Sequence, residues 1–362
     1  MVTPVARQIA PGNLEHTDRT AWLELRRRYV CASDVPLATG AEVYGRTRWQ
    51  LYVDKRMGVA DTPTERQAEQ YRFGHRMEAV AAAEWRDQNP GTQLARLGML
   101  ESVRYPWLAA NLDRRVYGCP DGDGPCGWEC KNRGQYAARE WDLDGDPDAI
   151  PDAPMIQTQA QMIVTGWAHI HLAVVIGGNE LRPYRIDADE VLQKLLVEET
   201  KWFWYDCVQA GKAPPIDATE RTGHILARLW DVDPAKVRVA DPDTLDLIGE
   251  LRAAVGYSGG WAEEVDRLKH ELAQRVEDAE AITDPATGKP LITWKQNGTL
   301  RENDFRRDHP DLWDEYAEPA EALNTARLAR ERADIHGAYR ARVLRICGTR
   351  PAKTTTTTEG TS

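Results

Sequence analysis

Glu129-Cys130-Lys131 is the tripeptide of greatest chemical interest in this 362-residue chain. On a strand, alternate residues share a face, so Glu129 and Lys131 point one way and Cys130 the other. If Asp113 ends the neighbouring strand of a hairpin, its carboxylate meets that of Glu129. Two hard carboxylates at one point suit Mg²⁺, which takes oxygen ligands and keeps waters for its substrate. An ammonium beside them holds or deprotonates an attacking water and balances charge in a phosphorane-like transition state. Such a constellation suits phosphodiester hydrolysis. The triplet alone is weak evidence: a second one, Glu199-Thr200-Lys201, reads as a surface pair on a helix.

Further residues agree with that chemistry. Gly74 and Glu78 lie four apart on a predicted helix, so Glu78 projects from one face while Gly74 allows close approach of another element. Gln157, Gln159 and Gln161 crowd one short helix, with Gln157 and Gln161 on a common face, where amides donate to phosphate or position water. Arg26-Arg27-Arg28, followed by Ser33, is the best local anion site, because guanidinium forks bind phosphate oxygens bidentately. Each also has a plain structural account, as a surface glutamate, a polar helix face or a solvated basic face.

The cysteines and histidines point elsewhere. Six cysteines in such a length are not a disulfide scaffold. Cys119, Cys126 and Cys130 approach a zinc pattern but have no fourth ligand nearby in sequence, so buried thiols are expected. Cys207 and Cys347 lie far apart, which makes an iron–sulfur cluster unexpected. His169 and His171 would share one strand face, like a metal pair, and without a third ligand are read as structural.

The elements that must position these groups follow from pattern. Residues 17–30 read as a helix capped by Thr17 or Asp18, and 65–88 as a second helix stopped by Asn89-Pro90-Gly91. Strand character follows at 97–103 and 107–112, then a Gly/Asp/Pro-rich turn at 118–127 and a short strand near 128–131. A helix over about 155–165 ends at Gly166, a strand covers 169–176, and 181–186 pairs with it across Gly177-Gly178-Asn179. Residues 187–209 form a long amphipathic helix. Composition shifts at Gly211–Pro215, which places a core at 1–217. Beyond it, Trp261, Val265, Leu268, Leu272 and Val276 recur at helical spacing, 282–300 suggests a small hairpin, and an Arg-rich helix is expected over 323–346. Residues 218–347 are thus expected to be mainly helical, with a disordered tail at 348–362. The first two-thirds is α/β.

Composition sets outer limits. Lys+Arg is 46 against Asp+Glu 57, a net charge of −11. A protein that coats DNA nonspecifically is normally basic, whereas a nuclease that grips DNA locally and holds metal with carboxylates can be acidic. No apolar run approaches the ~20 residues that cross a bilayer, and the first residues carry no signal-like apolar stretch. A soluble protein without membrane attachment is expected.

The order of motifs resembles the YqaJ-type viral recombinase family, whose best-known relative is the lambda phage exonuclease. The carriers are Trp22-x-x-Leu25-Arg26, Cys31-Ala32-Ser33-Asp34, Gly74-x-x-x-Glu78, Asp113, Glu129-x-Lys131, Gln157-x-Gln159 with Met162-Ile163-Val164-Thr165, and a closing Phe203-Trp204 with Gly211-Lys212-Ala213-Pro214-Pro215. Ile292-Thr293-Trp294-Lys295 resembles C-terminal extensions of phage members. The resemblance implies a restriction-endonuclease-like core, a mixed sheet flanked by helices. Asp113, Glu129 and the main-chain carbonyl of Cys130 would hold Mg²⁺, with Mn²⁺ the alternative. Lys131 would act on the nucleophilic water, Glu78 would be an outer or second-metal carboxylate, and Gln157 would position water or phosphate. Arg26 and Ser33 would hold the 5′-phosphate of the digested strand. The implied activity is 5′→3′ digestion of linear double-stranded DNA to leave 3′ single-stranded tails. It would be carried out by a ring-shaped trimer working with a single-strand-annealing recombinase, for a phage or prophage in the cytoplasm of a bacterial host. An endonuclease of the same fold, or a non-catalytic DNA-end-binding module, is the competing expectation. The family usually shows Pro-Asp-Gly at its metal aspartate, whereas Leu112-Asp113-Arg114 stands here and Pro120-Asp121-Gly122 lies downstream. Asp113 is preferred because it follows a strand, and Asp121 reads as a turn residue.

Overall fold

Asp18 starts the first long helix as its sequence suggests: in a computed structural model its carboxylate accepts from the Ala21 N–H at 2.9 Å, and the helix runs Arg19–Arg27. The structure describes residues 5–58, 65–122, 124–141, 150–256, 262–317 and 323–347. The expected tail at 348–362 and Trp261 lie outside the described residues. The chain divides into two units, Met1–Pro215 and Ile216–Ser362.

In the first unit the strands are β1 (Ala6–Gln8), β2 (Val30–Cys31), β3 (Gln93–Ala95), β4 (Leu100–Ser102), β5 (Leu108–Ala110), β6 (Arg114–Tyr117), β7 (Cys126–Arg133), β8 (His169–Ile176) and β9 (Glu180–Asp187). They form two sheets, ordered β1-β4-β5-β2 and β3-β6-β7-β8-β9. In the larger sheet β7 and β8 are parallel and the other neighbours antiparallel, so it is mixed. The β7–β8 crossover contains the helix Asp152–Thr165, which Gly166 ends at φ +70. β8 and β9 pair along their full length from His169↔Asp187 to Ile176↔Glu180. Their turn needs positive φ at Gly177 (+61) and Gly178 (+83), which glycine adopts without a Cβ penalty.

Alternation along β7 sends Cys126 and Trp128 into a core with Val116, Ala173 and Val175, closed by Ala81, Ala82 and Trp85 of the helix Glu65–Gln88. The opposite face carries Glu129 and Lys131 toward the Asp152–Thr165 helix. The long helix expected at 187–209 forms as Glu190–Trp202 continued by a π-helical turn, Phe203–Gln209.

The second unit holds the helix expected from Val265, Leu268, Leu272 and Val276, as Ala262–Val276, and also the helices Glu220–Leu229 and Pro242–Gly256, which the sequence pattern does not individually place. It also holds more sheet than a small hairpin. β10 (Asp233–Val239), β11 (Ala279–Thr283), β12 (Pro290–Leu300) and β13 (Arg340–Ile346) form a four-stranded sheet in that order. The helix expected over 323–346 is therefore corrected: it breaks into Thr325–Glu331 and Ala333–Ala338 and then becomes β13. Arginine concealed the strand. Arg342 is 7% exposed, lies 3.5 Å over the Trp294 ring, and donates to the carbonyls of Glu277 and Ala279 at 2.7 and 2.6 Å. A cation thus fills an inward strand position where the pattern called for an apolar residue.

Candidate active site

β7 and the Asp152–Thr165 helix meet over Glu129, which is 4% exposed. Lys131 Nζ donates to Glu129 Oε1 at 2.7 Å and to Gln157 Oε1 at 2.9 Å. Gln157 Nε2 donates to the same glutamate oxygen at 2.7 Å. Gln161, one helical turn further, donates to Glu129 Oε2 at 2.8 Å and to the Asn111 carbonyl at 3.1 Å. The buried carboxylate is held by donors on both oxygens, as desolvation requires.

Asp113 joins this group by a route that differs from the expectation. It does not end the strand 107–112, since β5 stops at Ala110 and belongs to the smaller sheet. It heads β6 instead, and its Oδ2 accepts from the Cys130 N–H at 2.8 Å. Burial, with the nearby charges of Glu129 and Glu78, pushes the Asp113 carboxyl well above its ordinary range; Lys131 and the Cys130 N–H offset this only in part. Burial would lower the Lys131 ammonium, but Glu129 and Asp113 outweigh it, so its pKa is raised and it stays charged.

Glu78 arrives from the other side, on the Glu65–Gln88 helix, ion-paired with Arg114. Arg114 also donates to the Asp113 carbonyl at 2.6 Å. Gly74 does not serve a close approach: no heavy atom lies within 4 Å of where its Cβ would stand. Gln159 is turned away from the site. It donates to the Asp187 carbonyl at 2.8 Å and accepts from the Asp189 N–H at 3.0 Å. Asp121 lies elsewhere too, 2.7 Å from Arg185 and beside His169 and His171.

Arg26 and Ser33 do come together, at 2.9 Å, but not as a bare basic patch. Arg26 also donates to buried Asp34 Oδ1 at 3.0 Å, and Lys55, from the helix Arg48–Met57, reaches Asp34 Oδ2 at 2.6 Å. Burial would raise the Asp34 carboxyl, but Lys55 and Arg26 hold it far below the usual carboxylate range. Two cations and one carboxylate leave a formal +1 beside exposed Ser33. Arg27 is spent on the Asp54 carbonyl at 3.2 Å, and Arg28 is exposed.

Gln161 sits on the face it shares with Gln157, for which their four-residue spacing is a local signal. Lys55 and Arg114 carried none, because their partners are set by packing between elements. The thiols have neighbours that the sequence alone does not place: Cys119 Sγ lies 3.2 and 3.6 Å from Nε2 of His169 and His171, and with Cys126 Sγ the four ligand atoms lie within 4.8 Å of one another.

Residues 21–168 match the family model described as the YqaJ-like viral recombinase domain. Every residue from Arg26 to Gln161 named above falls inside that segment. The chain is 27% identical over 215 residues to the protein YqaJ of Bacillus subtilis (strain 168), covering 59% of this chain and 63% of that relative's length. Among solved structures, an alkaline exonuclease (LHK-Exo) from Laribacter hongkongensis is 18% identical with a TM-score of 0.41, covering 53% of this chain and 93% of that one. A phage-related exonuclease from Haemophilus somnus 129PT is 10% identical with a TM-score of 0.35, covering 52% and 99%. No helix among the described residues is long and apolar enough to cross a membrane.

Proposed function

We propose that the first unit is a YqaJ-like, divalent-metal-dependent deoxyribonuclease. It digests linear double-stranded DNA from 5′ ends and leaves 3′ single-stranded tails for annealing-type recombination. The supporting observation is the gathering of Asp113, Glu129 and Glu78 about one point: burial first, and then the charges of Glu129 and Glu78, push the Asp113 carboxyl upward, and Lys131 and the Cys130 N–H offset this only in part. An all-oxygen donor set of that kind fits a hard divalent ion, Mg²⁺ or Mn²⁺. Asp113, Glu129 and the Cys130 carbonyl would hold it, with Glu78 as an outer or second-ion carboxylate. When bound, the ion supplies Lewis-acid polarisation of a phosphoryl oxygen.

The chain's own residues supply the rest. The Lys131 ammonium donates to a water or to a non-bridging phosphate oxygen and opposes the negative charge that grows there. Gln157, bonded to both Lys131 and Glu129, fixes the position that water takes. Gln161 holds Glu129 in its rotamer through the second carboxylate oxygen. Arg26 and Ser33 receive the 5′-phosphate, for which the formal +1 at Asp34 is the attraction. A trimeric ring and a single-strand-annealing partner in a bacterial cytoplasm complete the proposal, and the mass of the assembly in solution checks the ring.

Linear and covalently closed duplex DNA, each incubated with Mg²⁺ and the products sized, tests the activity. Linear DNA should be consumed and closed DNA left intact. Cutting of closed circles would make the protein an endonuclease, and degradation of neither would make it an end-binding module. Ca²⁺ in place of Mg²⁺ should permit DNA binding without cleavage, because the larger ion relaxes the octahedral geometry. Full activity with Ca²⁺ would count against the metal site.

A further inference from the structure

Behind the face that carries Glu129, the same sheet brings two sulfurs and two imidazoles to one point. Cys119 lies in the turn just past β6, Cys126 opens β7, and His169 and His171 sit two apart on β8, so both rings project to one side. Cys119 Sγ lies 3.2 Å from His169 Nε2 and 3.6 Å from His171 Nε2. The ring planes of the two histidines stand at 89°, with centroids 5.2 Å apart. Cys126 and His169 are fully buried and His171 nearly so, against Trp85, whose ring is 5.2 Å from that of His171.

These separations have a chemical meaning. Zinc bonds of about 2.3 Å to thiolate and about 2.0–2.1 Å to imidazole set S···N edges of about 3.5 Å in a tetrahedron. The observed edges at Cys119 bracket that value, and all four ligand atoms fall within 4.8 Å of one another. Soft sulfur with imidazole selects Zn²⁺ over Mg²⁺, the reverse of the preference at Asp113 and Glu129. Two thiolates neutralise a divalent ion, which lets the assembly sit in an apolar core without a stranded charge. The neighbouring carboxylate does not complete the set: Asp121 Oδ2 is 3.9 and 3.7 Å from the two Nε2 atoms and pairs with Arg185 at 2.7 Å.

We propose that Cys119, Cys126, His169 and His171 form a structural Zn²⁺ site that clips the β6–β7 turn to β8. Each thiol gives up its proton to solvent as the Zn–S bond forms, so binding releases two protons and involves no oxidant or reductant. With four protein ligands the site is closed, and its role is to hold the hairpin that carries Asp113 and Glu129. The proposal stands on side-chain geometry alone and does not depend on nuclease activity.

The full chain, purified under reducing conditions and dialysed against metal-free buffer, should retain one zinc per chain by elemental analysis. Cys119→Ser combined with Cys126→Ser should bring that to none, whereas Lys131→Ala should keep it. Should the double variant fail to fold, Co²⁺ added to the zinc-free wild-type chain remains decisive. Intense visible absorption with a thiolate-to-metal charge-transfer band, bleached by added Zn²⁺, is the expected result. Sub-stoichiometric zinc in the wild type, a weak octahedral cobalt spectrum, or a Cys119–Cys126 disulfide in the reduced preparation would each overturn the site.

Discussion

Two aspartates of the first unit, Asp34 buried and Asp113 half-buried, behave in opposite ways. Asp34 is held far below the ordinary carboxylate range and Asp113 well above it, although burial alone pushes both upward. The difference lies in their company. Asp34 faces Lys55 and Arg26, and Asp113 faces Glu129 and Glu78. One pocket carries surplus positive charge and the other surplus negative charge. A cluster that does not neutralise itself suggests the sign of its ligand, which in the proposed function is an anion at Arg26 and a cation at Asp113.

The most damaging way to break that contrast is Asp34→Ala. It leaves buried Lys55 and half-buried Arg26 without their counter-charge and should cost about 3–5 kcal/mol in urea unfolding. A loss no larger than that of an exposed substitution would show that the two cations are solvated. The same carboxylate fixes an acid limit. Its depressed pKa gives stability that is present above the unfolded-state value and is lost as pH falls through the folded one, so the wild type should weaken at strongly acid pH and Asp34→Ala should lack that acid-dependent loss.

Lys131→Ala tests the other pocket and should reduce cleavage of linear duplex DNA by about 10²–10³-fold, the size of losing one preorganised electrostatic donor. DNA binding should hardly change, since grip is spread over other residues. Normal turnover would remove Lys131 from the mechanism.

A smaller effect of opposite sign is expected from Asp113→Asn. A raised carboxyl stabilises the fold while protonated, and that contribution is lost as pH rises through the folded pKa. In chelator at neutral pH the asparagine variant should therefore be more stable than wild type, by about 0.5–2 kcal/mol, and inactive. Equal melting of the two in chelator would mean that the carboxylates do not crowd one another. Least in size is Arg26→Ala, which should narrow the preference for 5′-phosphorylated over 5′-hydroxyl ends by roughly tenfold, the value of one charge-assisted pair. An unchanged ratio of rates on the two ends would free Arg26 from that role.

Much of this was legible in the chain because the determinants are local. The Asp18 cap, the Gly166 stop, the β8–β9 hairpin across Gly177-Gly178 and the shared face of Gln157 and Gln161 are decided by residues within a few positions. β13 was not legible, since Arg342 occupies an inward position that the Trp294 ring and the carbonyls of Glu277, Ala279 and Trp294 make tolerable. The thiols read as plain core residues in the sequence because Cys119 lies 50 and 52 positions from His169 and His171.

By itself, the sequence determined which chemistry was available: carboxylates beside a lysine, glutamines at one helical spacing, arginines beside a serine, and soft ligands in two separated pairs. Period and turn residues decide strand faces and helix ends over short range, so these assignments needed no partner. Tertiary structure alone decided what met what. It gave Asp34 its two cations, it set Asp113 at the head of β6 against the Cys130 N–H, and it closed four distant side chains behind the sheet. Strand order and crossover packing govern such meetings, and no local spacing encodes them.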